Sequence, residues 1–336
     1  MASLNARLLA DLEAAGLLPP AQAAAIAEDE RTRPFSLHYE LRALLYLGSV
    51  LLAGGLGVLV YENRNSLGHG LITAFIMLAM GASFAYAARH RPAFTWGEAP
   101  RTSIAADYLL LLGCLLFLVL EGYVQVEYGV FGTRYGLVTL LPAVLFFALA
   151  YRYDHRGVLA MAITALAAWV GVSVAPLTLF AEGFPARALS GPGLVLGLGL
   201  LGLGAATERL GRKAHFGYTY FLLGSNTALL AAMVRLFNDD DSGRTTPMLL
   251  RGLAVALLVL GICAGLVWYA RRTQSYLFLL LAVAYGYVAF TSVLVLLAEL
   301  AGITEALWPL ALVYFPLTLM GVVLLFINSK KILRLA

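Results

Sequence analysis

Residues 105–125 read AADYLLLLGCLLFLVLEGYVQ, and between Asp107 and Glu121 there is no charged side chain. As an α-helix a run of this length rises about 30 Å, which is the thickness of a bilayer's hydrocarbon core. A membrane-crossing strand needs only about ten residues and alternates apolar with polar positions. This run is too long and does not alternate, so it predicts a helix dissolved in lipid.

The same pattern repeats along the chain. Apolar runs at 41–61, 70–88, 105–125, 135–151, 157–177, 190–207, 216–236, 249–270, 276–298 and 306–328 are separated by short polar breaks. The predicted fold is all-α: a polytopic transmembrane bundle of about ten helices. Composition agrees, with 61% hydrophobic and 12% charged residues and a mean hydropathy of +0.84. Soluble domains carry about 25% charged residues, enough to clothe their cores with polar groups. The net charge of +4 is mild and gives no reason to expect a nucleic-acid partner. Five-plus-five inverted repeats fit ten spans, but the halves show no residue-by-residue match.

Placement of the basic residues sets the expected topology. With the N-terminus inside, the outer segments hold Arg64, Arg134, Arg187, Arg235, Arg244 and Arg251, and every other Lys and Arg of the 23 falls in an inner segment. Inner breaks carry pairs or triplets such as Arg152 with Arg156, Arg209 with Arg212 and Lys213, and Arg271 with Arg272. That is the positive-inside bias of a correctly counted chain. It predicts both termini in the cytoplasm. Aromatic residues near span ends, Tyr61, Tyr123, Tyr151, Trp268, Tyr269, Tyr276 and Trp308, fit headgroup anchors.

Before the first span the chain is polar, with Arg7, Asp11, Glu13, Glu28, Asp29, Glu30, Arg31 and Arg33. No cleavable signal is expected there, and the run from Leu41 should stay as an anchor. Residues 1–38 read as a cytoplasmic helical hairpin. Ser3 caps a first helix bearing Leu4, Leu8 and Leu12, Gly16 ends it, and Pro20 opens a second helix over 21–30. The membrane domain then covers 39–329, and 330–336 form a basic cytoplasmic tail.

Polar residues inside the spans are few, which argues against a buried proton relay. Asp107, Cys114, Glu121 and Gln125 are spaced seven, seven and four apart and share one helix face; Tyr285, Ser292 and Glu299 repeat every seven on another. Asn226, in mid-span, needs a partner inside the bundle. Two readings follow. These groups make interhelical hydrogen bonds, or they line a polar cavity open to the outer side, with Glu121 and Glu299 at its rim and Arg235 or Arg251 as counter-charges. Pro142, Pro309 and Pro316 interrupt spans, as kinks or as markers of a binding site. Small residues every four positions, including Ser49, Ala53 and Gly57; Ala79, Ser83 and Ala87; Ala167, Gly171 and Ala175; and Gly193 and Gly197, allow close helix packing.

Catalytic, cofactor and metal signatures are not expected. His38, His69, His90, His155 and His215 sit in loops or at span ends, and no HExxH, GxSxG or Walker A pattern occurs. Cys114 and Cys263 lie within apolar runs and read as packing residues. Asp239, Asp240 and Asp241 read as a solvated run.

One resemblance adds to this reading. Leu12, Gly16-Leu17-Leu18, Gln22 and Ile26, followed by Arg42 and the glycine-rich run 48–57, resemble the bacterial predicted membrane proteins grouped as domain of unknown function 2157. The likeness covers roughly the first seventy residues; where that family has Asn-Trp after the first span, this chain has Asn63-Arg64. It implies a bacterial, multi-pass inner-membrane protein with a small cytoplasmic helical head. Two functions stay open: a transporter-like or lipid-handling protein with membrane lipids or a small molecule as partner, and a structural or regulatory component recruiting a protein through its hairpin.

Overall fold

The computed structural model describes residues 12–14, 16, 18–32, 38–63, 69–100, 103–132, 134–174, 186–237, 245–328 and 333. They fall into two compact units, Met1–Tyr61 and Glu62–Ala336. In the first, Gly16 takes a left-handed φ of 68°, the conformation expected where a helix stops. Ser3, Leu4 and Leu8 of the expected first helix lie outside the described residues. Pro20 opens α1 (Pro20–Thr32) and α2 follows (His38–Asn63).

The second unit is a helix bundle. Its elements are α3 (His69–Arg89), α4 (Ile104–Tyr128), α5 (Tyr135–Tyr153), α6 (Arg156–Val174), α7 (Ala186–Leu210), α8 (Gly217–Phe237), α9 (Thr246–Thr273), α10 (Tyr276–Leu300) and α11 (Leu307–Ile327). Among the described residues these nine helices are long and apolar enough to cross a membrane, and Ala43–Val58 within α2 is a shorter apolar helix. The ends fall within four residues of the sequence expectation wherever they are described. Pro176 and the last residues of the expected fifth span lie outside the described residues.

Sequence neighbours pair as antiparallel hairpins: α3 with α4, α5 with α6, α7 with α8, and α9 with α10. Two cores result. One gathers Leu110, Cys114, Phe146, Leu159 and Ile163 from α4, α5 and α6 with Leu200 and Tyr220; the other joins α8, α9 and α10 through Leu229, Val259, Cys263, Phe278 and Ala289. Each free cysteine belongs to a different core. Large apolar side chains cover much of the outside, Leu78, Val195 and Leu312 among them. Hydrocarbon is as apolar as leucine, so this exposure costs nothing in a bilayer.

The α7–α8 pair is the tightest, and its glycines show why. A Cβ on Gly197 would lie 2.7 Å from Ala228 Cα, one on Gly224 would reach 2.9 Å from Leu200 Cβ, and one on Gly193 would meet Ala231 Cβ at 3.2 Å. Backbones therefore touch where the repeated small residues predict close approach. Gly171, named for the same role, has no atom of the described residues within 4 Å of where a Cβ would lie.

Candidate functional site

Two polar assemblies lie at opposite ends of α7 and α8. At one end the link 91–100 docks on the α5–α6 and α7–α8 turns. Asp154 ends α5 in the left-handed region with its N–H on Ala150 O, and its carboxylate collects three donors. Ala99 N–H donates to Oδ2 at 2.6 Å, His215 Nε2–H to Oδ1 at 2.6 Å, and the Lys213 ammonium lies 2.8 Å from Oδ1. Lys213, only 1% exposed, also donates its backbone N–H to Trp96 O at 2.6 Å, and its ammonium lies over the Phe94 ring. Arg152 donates to Pro92 O at 3.3 Å, and Arg212 stacks over Trp96.

The electrostatics of this latch follow from its contacts. Burial pushes the Asp154 carboxyl up, but the Ala99 N–H, the Lys213 ammonium and the His215 ring more than offset it, holding it below its ordinary value of 3.8. Neighbouring ties reinforce the same end. Val158 N–H donates to His155 Nδ1 at 3.1 Å, capping α6, and Tyr269 donates to Glu208 Oε1 at 2.7 Å, joining α9 to α7. The carboxylate's charge is spent inside the protein. The assembly is a fastening.

The other end is built differently. Between α6, α7 and α8 runs a groove of about 610 Å³, lined by small and apolar side chains including Gly171, Gly193, Leu196 and Leu230, with Ser190, Asn226 and Thr227 as its polar points. Ser190 also lines a second pocket, of about 290 Å³, formed where α7 begins, α8 ends and α9 begins. Arg187, Arg235 and Arg251 converge there, and no acidic side chain lines it among the described residues. The local chain explains the convergence. Gly191 lies against Arg235, whose Nη1 would be 3.9 Å from a Cβ placed there, an ordinary contact distance. Ser190 Oγ is turned inward and donates to Arg187 O at 2.7 Å. The groove has room for an apolar chain, and the pocket beside it presents positively charged side chains.

The structure distributes the residues singled out from sequence as follows. Arg235 and Arg251 share the arginine pocket. Asn226 lines the groove and accepts a hydrogen bond from Tyr285 at 3.3 Å, so its partner does come from inside the bundle. Ser292 donates to Val288 O at 2.9 Å and lines a further pocket of about 350 Å³ with Tyr287, Thr291 and Phe315. Gln125 organises the turn after α4, accepting from Phe131 N–H at 2.9 Å and donating to Gly132 O at 3.1 Å. Asp107 sits in the first turn of α4 behind the Ser103 cap, where a negative charge complements the helix dipole. Glu121 is buried, and its Oε1 has no hydrogen-bond partner among the described residues. Neither Glu121 nor Glu299 lines the groove or the arginine pocket. Arg187, Ser190 and Thr227 were not singled out from sequence. Arg187 carried one usable signal, a basic residue on the expected outer side at the head of a glycine-rich span.

Comparison with known proteins narrows the kind of molecule without adding chemistry. No curated protein and no solved structure matches this chain. The family model described as predicted membrane protein (DUF2157) matches residues 10–159, bearing out the resemblance read from the first seventy residues and carrying it through α6's first turn.

Proposed function

We propose that this multi-pass membrane protein handles lipid or another amphipathic small molecule, holding it between α6, α7 and α8. One observation carries the reading: the apolar groove and the polar pocket meet at Ser190. A molecule with an apolar chain and a polar head finds both environments side by side. The groove's volume of about 610 Å³ falls in the range of small-molecule sites, about 300–1,000 Å³. With the arginine-rich breaks in the cytoplasm of a bacterial inner membrane, the polar pocket opens on the outer side.

The test fills the groove without disturbing the packing. A Cβ at Gly171 meets no atom of the described residues within 4 Å, so Gly171→Phe places a ring in the groove. Native mass spectrometry of protein extracted from membranes should show an amphipathic molecule on the wild type and its loss from the variant. Equal retention by both, or none on the wild type, removes this reading. Flux in proteoliposomes then separates carriage across the bilayer from binding.

A second reading, partner recruitment by the N-terminal unit, is favoured by the solvent-facing side chains of Leu12 and Ile26. A photo-crosslinker at position 26 should then give one discrete protein adduct in cells; a smear or no adduct dismisses it.

A further inference from the structure

We infer that the groove between α6, α7 and α8 holds an uncharged acylglycerol, whose ester carbonyl accepts from the Asn226 amide and whose hydroxyl donates to Thr227. This rests on the amphiphile reading of the groove and adds the chemical class of the occupant. Asn226 is exposed on α8 and lines the groove. A side-chain amide carries one carbonyl oxygen and two N–H donors. Tyr285 donates to that oxygen at 3.3 Å, and neither N–H has an acceptor among the described residues. Thr227, the next residue, spends its hydroxyl proton on Leu223 O at 2.8 Å, which leaves its oxygen able to accept.

Depth makes these groups consequential. Counting from Gly217, Asn226 is nine residues along α8 and eleven short of Phe237, about 14 Å from one end and about 17 Å from the other. The glycine contacts fix the same level on α7. Gly197 lies against Ala228 and Gly224 against Leu200, so Asn226 stands level with residues 197–200, about 17 Å along α7 from Ala186. That is near the middle of the hydrocarbon, well away from the links that enter and leave these helices. An N–H without an acceptor is costly there, and lipid supplies none.

The set of groups selects the occupant. No charged side chain lines the groove among the described residues, so a charged head drawn to this depth would find no counter-charge. Phospholipid esters stay near the interface with their charged heads. An acylglycerol has no such head and can sink. It brings an acceptor and a donor side by side, the complement of an N–H next to a hydroxyl oxygen. An oxidised quinone brings acceptors alone and leaves Thr227 nothing to receive. Leu196, Leu223 and Leu230 supply an apolar wall for the chains.

The full-length protein is exchanged into phosphatidylcholine vesicles holding equal small fractions of dioleoylglycerol, phosphatidylglycerol and an isoprenoid quinone. It is re-extracted, and its bound lipids are weighed by native mass spectrometry. Dioleoylglycerol should be retained above its share of the vesicle, and Asn226→Leu should cut that excess roughly fivefold, what one net hydrogen bond contributes. Thr227→Val should cut it to a similar degree. Asn226 is exposed, so the leucine leaves the packing in place. Tyr285→Phe removes the tie between α8 and α10 but keeps the amide, and should keep the excess. If it loses as much as Asn226→Leu does, the amide serves only that helix contact and the proposal falls. Quinone retained as well as the glyceride also overturns it.

A second arm reads the bond itself. With an isotope-labelled ester carbonyl, the infrared band of bound dioleoylglycerol should move to lower frequency on the wild type and not on Asn226→Leu; an unmoved band on the wild type refutes the contact. Phosphatidylglycerol or phosphatidylcholine retained instead, and lost in Gly171→Phe, leaves the groove reading standing and refutes this occupant. A doubled chain mass without lipid, lost in Asn226→Leu, assigns the amide to a second copy of the chain and removes both.

Discussion

Replacing Gly197 by alanine tests whether close backbone contact holds α7 and α8 together. A Cβ there would stand 2.7 Å from both Cα and Cβ of Ala228, against an optimum of about 3.5–4.0 Å for carbon pairs. The obstacle is backbone, which cannot rotate away as a side-chain tip can, so α7 and α8 must part by about 1 Å to restore that spacing. Overpacking of this kind costs about 1–3 kcal/mol. Alanine's better fit to a helix interior returns about 0.5–1 kcal/mol. The expected net loss therefore lies between about 0 and 2.5 kcal/mol, centred a little above 1 kcal/mol. Gly199 and Gly202 are internal controls on the same helix, since a Cβ on either meets nothing within 4 Å; alanine there should be neutral or mildly stabilising. The assay is unfolding of the detergent-solubilised protein by titrated SDS, followed by loss of helical circular dichroism. If Gly197→Ala unfolds at the same SDS fraction as Gly199→Ala, the close-contact account of α7 and α8 is wrong.

Three further outcomes are expected. Lys213→Met leaves Asp154 buried without its ammonium and should cost about 3–5 kcal/mol in the same titration, whereas Arg156→Ala, which breaks only an exposed pair with Glu98, should cost less than about 1 kcal/mol. Because folded Asp154 sits below its ordinary value of 3.8, its contribution is complete above that pH and is lost as pH falls through 3.8 and on past the folded value. Asp154→Asn should flatten that acid limb of a stability–pH profile, and a wild-type profile without the limb contradicts the latch electrostatics. In a background with Cys114→Ala and Cys263→Ala, a cysteine at exposed Arg271 should react with a membrane-impermeant maleimide only from the cytoplasmic side and one at Val130 only from outside; the reverse pattern overturns the topology.

The membrane helices were legible because crossing hydrocarbon imposes length and composition on each run separately, without knowledge of its neighbours. What each face meets is another matter. The spacing of Asp107, Cys114, Glu121 and Gln125 places them on one face, yet Cys114 enters a core, Glu121 is buried and Gln125 folds over the following turn. Only the packing of other elements decides among those fates. Asn226 was readable as a group needing a partner, but Tyr285 as that partner depends on how α8 meets α10. Arg187, Arg235 and Arg251 shared a side by counting spans, whereas their meeting in one pocket depends on how α7, α8 and α9 pack. The latch left the faintest trace. Asp154 and Lys213 are loop charges in sequence, each in the left-handed region without being glycine, and nothing local says that they meet.

That fastening has a mechanical corollary. α6, α7 and α8 each have one terminus beside it, so relative motion among them is leveraged, smallest at the pinned terminus and growing along each rod. With a rise of about 1.5 Å per residue, Gly171 stands about 22 Å along α6 from its pinned start, and a swing of about 5° displaces it by about 2 Å. With α7 and α8 held together by their glycine contacts, any such rocking falls to α6, whose far end would travel while the hinge side hardly stirs.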